Sequence, residues 1–223
     1  MKELIFIGLG LHDEKDISLN GIEEIKTADA VYAELYTSPM PNLSVANIEK
    51  MTKRKISVLS RKNLEDDSRK TLLESTKRGK TVLLVPGDPL IATTHIALRI
   101  EAEKLGIKTR VVHGASIISA VIGLSGLHNY KFGKSVTIPF NEECRGISET
   151  PYDVVAQNKS LGLHTLCLLD VKAEDKRYMT IREGLKVLLE VEDKRKQRVV
   201  TSETLTVGIA RAGSKSQELK QNF

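Results

Sequence analysis

The chain has 223 residues, with 34 Lys and Arg against 29 Asp and Glu and a formal charge of +5 at neutral pH. A chain of this length buries enough surface to fold without disulfides or a metal; its two cysteines, Cys144 and Cys167, stand far apart in no ligand spacing and read as ordinary thiols, which excludes a zinc module and a secreted disulfide framework. Basic residues are interleaved with acids, Trp is absent and aromatics make up 4%, so stacking platforms for nucleic acid are few and direct nucleic-acid binding is not expected.

The first apolar run, Leu4–Gly8 ("LIFIG"), reads as a short buried strand. "HDEKD" follows it closely with no small-residue cleavage site, so it is not a signal peptide. No run reaches the roughly 18 apolar residues of a membrane span, and a cytoplasmic protein with no membrane partner is the expectation. A helix within "ISLNGIEEIKTAD" comes next, with Ser18 as N-cap and Ile22 and Ile25 on one face.

Strands follow at 30–34, 55–60, 81–85 and 109–113. Between the last three lie the helical stretches "LEDDSRKTLLESTKRG" and "PLIATTHIALRIEAEKLG", each closing on a basic residue and then Gly. In the second of these the spacing predicts a helix that begins at Pro89, with Leu98, Ala102 and Leu105 on its apolar face. Apolar strands alternating with helices imply a parallel sheet with helices on both faces.

A boundary is expected near 112–115, giving an N-terminal α/β domain over 1–113 and a C-terminal α/β domain over 114–223. The second begins with "GASIISAVIGLSGL". It continues with "KSVTIPF" as a strand, a helix in "YDVVAQNKSLG" and "HTLCLLDV" as a buried strand. The Thr180–Glu183 capping box then opens a helix over "GLKVLLEVEDKRK", and "TLTVGIA" is a last strand.

Three small-residue turns fall at strand ends, where open α/β sheets bind ligands. Gly8-Leu9-Gly10 ends the first strand, but Asp13 stands where the dinucleotide fingerprint needs a third glycine. "VPGDPLIATTH" ends another. Asp88 there is either a bare helix cap or part of a ligand-facing turn, and the spacing leaves both open. "VVHGAS" ends a third, where His113 taken alone reads as structural rather than catalytic. "FGKS" is no P-loop, because His128 occupies the first glycine's place and a strand follows. No nucleophile elbow, paired carboxylates or metal-ligand set is visible, so no catalytic residue and no metal are assigned. Ligand-approachable turns without a nucleophile suggest an enzyme that positions a ligand carrying its own reactivity.

Six blocks in order, "FIGLGLHDEKDISLNG", "AELYTS", "VPGDPLIATTHIALRIEA", "VVHGASIISAVIGLSGLHNYKFGKSVTI", "HTLCLLDVKAEDKRYMT" and "IARAGS", together resemble the diphthine synthase family in its archaeal form. These are S-adenosylmethionine-dependent methyltransferases of the tetrapyrrole-methylase-like class, and the likeness runs from residue 1 to about 214. It implies two α/β domains with the cofactor in the cleft between them, a homodimer, and methylation of the amino group of a modified histidine on translation elongation factor 2 during diphthamide synthesis. By the same resemblance the cofactor contacts are Leu11, Asp88, Ile91, Ser116, Ile117, Leu169 and Ala212. Members of the family continue past "ARAGS" through a helix and a strand whose Pro-His element also touches the cofactor, and that element has no counterpart in this chain. The alternatives are a tetrapyrrole methyltransferase and a cofactor-binding protein without turnover.

Overall fold

The computed structural model describes residues 2–65, 68–143, 146–173 and 175–221. Cys144 therefore lies outside the described residues, as do Asp66 and Asp67 within the predicted "LEDDSRK" helix. The chain separates into two compact units, Met1–Ile117 and Ile118–Phe223.

In the first unit the elements are β1 (Glu3–Gly8), α1 (Leu19–Lys26), β2 (Ala30–Glu34), α2 (Val45–Thr52), β3 (Ser57–Leu59), α3 (Arg61–Glu65), α4 (Ser68–Arg78), β4 (Lys80–Val85), α5 (His95–Lys104) and β5 (Lys108–Val112). They form a five-stranded sheet in the order β3-β2-β4-β1-β5, with every pairing parallel. All six residues of β1 are buried, as are five of the six in β4, the pattern of strands covered on both faces. Ile5, Ile7, Leu9, Val82 and Leu84 pack with Ile25 and Ile48 in one core. Ser18 caps α1 as expected, accepting from Gly21 N at 3.1 Å.

One expected helix start is wrong. α5 begins at His95, six residues after Pro89. Residues 88–91 instead form a turn, with Ile91 N donating to Asp88 O at 3.3 Å and Leu90 N to Asp88 Oδ1 at 3.2 Å. Ala92 then adopts φ +56, a left-handed conformation that no right-handed helix passes through and that costs an alanine about 1–2 kcal/mol. Leu98 and Ala102 are buried as expected. Leu105 is 57% exposed, because the chain leaves the helix there and turns at Gly106, φ +72, so that Ile107 takes the buried place.

The two ends of this sheet differ in chemistry. At the amino end Glu3 pairs with Lys108 and Arg110, and Glu24 with Lys80 and Arg110. Burial raises the Glu3 carboxyl, but the hydrogen bonds and charges of Arg110 and Lys108 outweigh it and hold the group below its ordinary value. The carboxyl end carries glycines.

α6 (Ile117–Leu124) leads into the second unit, which contains β6 (Val136–Ile138), α7 (Thr150–Ser160), β7 (Cys167–Leu169), β8 (Val171–Lys172), β9 (Arg177–Tyr178), α8 (Ile181–Arg195), β10 (Val207–Ala210) and β11 (Glu218–Gln221). Its strands pair in twos: β6 with β7 in parallel, β8 with β9 and β10 with β11 antiparallel. "HTLCLLDV" is thus a three-residue, half-buried strand rather than a long buried one. The predicted last strand shortens to 207–210, and β11 was not foreseen. Asn158 is a buried tie between α7 and the chain before β6, bonded to Lys134 N, Lys134 O and Thr165 Oγ1. The Thr180–Glu183 box forms as expected. Cys167 is a free thiol that burial pushes up to about 11.

Glu192 on α8 anchors the segment that follows the helix. Its carboxylate accepts from Arg198 N, Val199 N, Val200 N and the hydroxyl of the buried Tyr152. Desolvation raises this carboxyl, but those hydrogen bonds, Val200 N foremost, overcome it and lower the group from 4.5 to about 2. A depressed folded value means the stabilisation is complete above the unfolded value and is lost as pH falls through the folded one. Thermal stability is therefore expected to drop between pH 4.5 and about 2, and Glu192→Gln to show a shallower drop across that window in melts recorded against pH.

Candidate functional site

Three strand ends meet at the carboxyl edge of the first sheet. β1 and β4 run in register to Gly8 and Val85. Beyond them the chains stay bonded: Leu9 N donates to Val85 O at 2.8 Å, Gly87 N to Gly10 O at 2.8 Å and Gly10 N to Gly87 O at 3.2 Å. Gly114, just past β5, closes the group. A Cβ on Gly8 would stand 2.5 Å from both Gly114 N and Gly87 O, and one on Gly114 would stand 2.5 Å from Gly87 O. Only bare backbone allows this approach. Gly10 and Gly87 also take φ +80 and +69.

Asp88 is buried at this edge. While Oδ1 accepts from Leu90 N, Oδ2 lies 2.7 Å from Nδ1 of His113. The carboxylate thus ties the turn after β4 to the end of β5. A carboxylate has no proton to donate, so His113 Nδ1 donates, and in the neutral ring Nε2 is then the acceptor. The His113 side chain is 77% exposed.

The residues expected to touch a cofactor divide between the units. Leu11, Asp88, Ile91, Ser116 and Ile117 all lie in the first, on the segments that leave β1, β4 and β5. Ile91 and Ile117 are exposed, at 48% and 37%. Leu169, at the end of β7, and Ala212, just after β10, belong to the second unit. Leu169 packs its side chain towards Gly184 of α8. Ala212 is buried and follows Arg211, another left-handed non-glycine residue at φ +55.

Comparison with known proteins gives this architecture its chemistry. Residues 3–221 match the family model of tetrapyrrole (corrin/porphyrin) methylases. The diphthine synthase of Methanosarcina mazei is 50% identical over 224 aligned positions, covering 99% of this chain and 83% of the relative. The chain belongs to the diphthine synthase family of tetrapyrrole methylases. The diphthine synthase of Methanocaldococcus jannaschii is 46% identical, over 97% of this chain and 84% of its own. A crystal structure of a diphthine synthase superposes with a TM-score of 0.85 at 44% identity, covering 99% of this chain and 81% of that one. The protein is accordingly an S-adenosylmethionine-dependent methyltransferase of diphthamide biosynthesis.

Two features of this diphthine synthase fold escape sequence reasoning. Asp16 holds the turn after β1, its Oδ2 accepting from Leu11 N at 3.0 Å and His12 N at 2.8 Å. The acids of "HDEKD" were the only signal for it. Glu34, at the end of β2, is fully buried and pairs its Oε1 with His95 Nε2 at 3.0 Å. It also accepts from Tyr36 N, Thr37 N and Thr37 Oγ1. Since β2 lies beside β4, this pair fastens the first residue of α5 to the sheet and so fixes the far end of the 86–94 turn. Among the described residues no cluster of three His, Cys, Asp or Glu fits a metal ion, and no helix is long and apolar enough to cross a membrane.

Proposed function

We propose that the acceptor of this methyltransferase is the amino group of the modified histidine on translation elongation factor 2, and that the cofactor rests on the glycine-lined edge of the first sheet. The close approach of Gly8, Gly87 and Gly114 supports the second statement, because a side chain at Gly8 or Gly114 would strike neighbouring backbone and force apart the strand ends on which the cofactor is proposed to rest. Exposed Ile91 and Ile117 offer apolar surface beside the turns, worth roughly 25 cal/mol per Å² once covered. These residues fit S-adenosylmethionine: Leu11, Ile91 and Ile117 for its apolar parts, and Ser116 with the main chain of the turns for its polar atoms.

Asp88 acts chiefly by shaping the turn, since both its oxygens are engaged. Asp88→Ala is expected to weaken cofactor binding at least about tenfold while the fold survives. A calorimetric titration with S-adenosylmethionine that gave unchanged affinity would remove Asp88 from the site.

Bound, the cofactor supplies an electrophilic methyl group on a good leaving group. The chain's part is to hold the acceptor nitrogen in line, which contributes roughly 7–11 kcal/mol to lowering the barrier. The excess of positive charge suits encounter with an acidic macromolecular surface. The working assembly in this reading is a cytoplasmic homodimer. Offered elongation factor 2 bearing the unmethylated intermediate together with a porphyrin or corrin, the enzyme is expected to methylate the protein. Methyl label on the ring alone would favour a tetrapyrrole acceptor instead, and binding without any transfer would favour a protein without turnover.

A further inference from the structure

The acceptor amine raises a chemical requirement that positioning alone does not meet. An amine of ordinary basicity, near pKa 10.4 for a lysine-like group, is protonated at neutral pH and has no lone pair to share. We propose that His113 is the base that removes this proton, and that Asp88 orients it for the task. The assignment rests on the cofactor site and the amine acceptor argued above.

Geometry selects His113 from the other titratable side chains near this edge. His95 is 2% exposed and turned onto Glu34. Asp16 is committed to two backbone N–H groups. His12 contacts Asn42 through both ring nitrogens, at 3.5 and 3.3 Å. Among these described residues, the His113 ring combines a fixed inner nitrogen, 2.7 Å from a buried carboxylate, with an outer face open to approach. That is the division of labour of a carboxylate–imidazole pair in general-base catalysis, where the acid fixes tautomer and direction and the far nitrogen takes the proton.

The groups against His113 are consistent with this role. The turn after β4 brings Asp88. The chain that follows His113, at Gly114, Ala115 and Ser116, carries no ionisable side chain. In the step, Nε2 accepts one proton from the acceptor ammonium. The freed lone pair forms the N–C bond as the C–S bond breaks, with its electron pair remaining on sulfur. The imidazolium then returns the proton to solvent, leaving the base ready for another turnover.

His113→Asn tests this directly. The Asn side-chain amide can donate to Asp88 as Nδ1 does, so the turn keeps its tie while the base is lost. Methyl transfer to elongation factor 2 is expected to fall about 100-fold near pH 7, within the usual range for a general base. Cofactor affinity by calorimetry should stay within about twofold of wild type. As pH rises the amine loses its proton unaided, so the deficit should shrink by about tenfold per pH unit towards the amine's own pKa. His113→Gln should converge in the same way. The wild-type rate reports on the acceptor, whereas the variant-to-wild-type ratio across pH reports on His113. A ratio that is constant with pH, or cofactor affinity falling in step with the rate, would overturn the proposal and leave His113 a structural tie.

Discussion

Gly8→Ala is expected to destabilise the protein by about 1–3 kcal/mol and to lower affinity for S-adenosylmethionine by tenfold or more. Gly8 has no left-handed φ, so alanine meets no conformational objection there. The objection is contact: the new methyl would stand 2.5 Å from Gly114 N, 2.5 Å from Gly87 O and 2.7 Å from Gly114 Cα. All three are main-chain atoms, and they lie just past the ends of strands held in register with β1. Relief therefore requires separating the ends of β1, β4 and β5, which is the surface proposed to hold the cofactor. Gly123→Ala provides the control. Gly123 lies within α6, where a Cβ meets nothing within 4 Å, and alanine there is expected to stabilise by up to about 1 kcal/mol through helix propensity. Urea melts and calorimetric titrations of both variants check the pair. A Gly8→Ala protein as stable and as tight-binding as wild type would show that the strand ends have room to part.

The second large effect is expected at the buried Glu34–His95 pair. Removing one partner of a buried ionic or hydrogen-bonded pair costs about 3–5 kcal/mol when the other is left uncompensated. The two ends are not equivalent. Glu34→Ala strips an acceptor from His95, Tyr36 N, Thr37 N and Thr37 Oγ1 together, and should fall in that range. His95→Ala leaves the carboxylate three donors and should cost about 1–3 kcal/mol, the penalty of one unmet buried group. Both should weaken cofactor binding, because the 86–94 turn loses the anchor at its α5 end. Equal costs for the two substitutions in equilibrium unfolding would contradict this account of how the load is shared.

What the sequence revealed and what it hid follow the distance over which each feature is determined. The strands of the first sheet, the Ser18 cap and the Thr180–Glu183 box are set by residues within a few positions, and all are legible. The glycine turns were legible one by one, since each follows an apolar strand. Their meeting was not, because the order β3-β2-β4-β1-β5 brings together residues 8, 87 and 114. The start of α5 was misread for a related reason. Asp88-Pro89 has the composition of a helix start, but the Asp88 carboxylate is also claimed by His113, 25 residues further on. Glu34 and His95 lie 61 residues apart, and neither residue type announces a buried partner. β11 was missed because all four of its residues are exposed, so the strand carries no apolar alternation to detect.

The crystal structure of the protein with S-adenosylmethionine bound tests the central claim most directly. The account predicts the ligand against the backbone of the Gly8–Leu11, Gly87–Ile91 and Gly114–Ile117 segments, with Ile91 and Ile117 covered and the Asp88–His113 contact intact. A ligand seated away from the Gly8–Gly87–Gly114 convergence would contradict it.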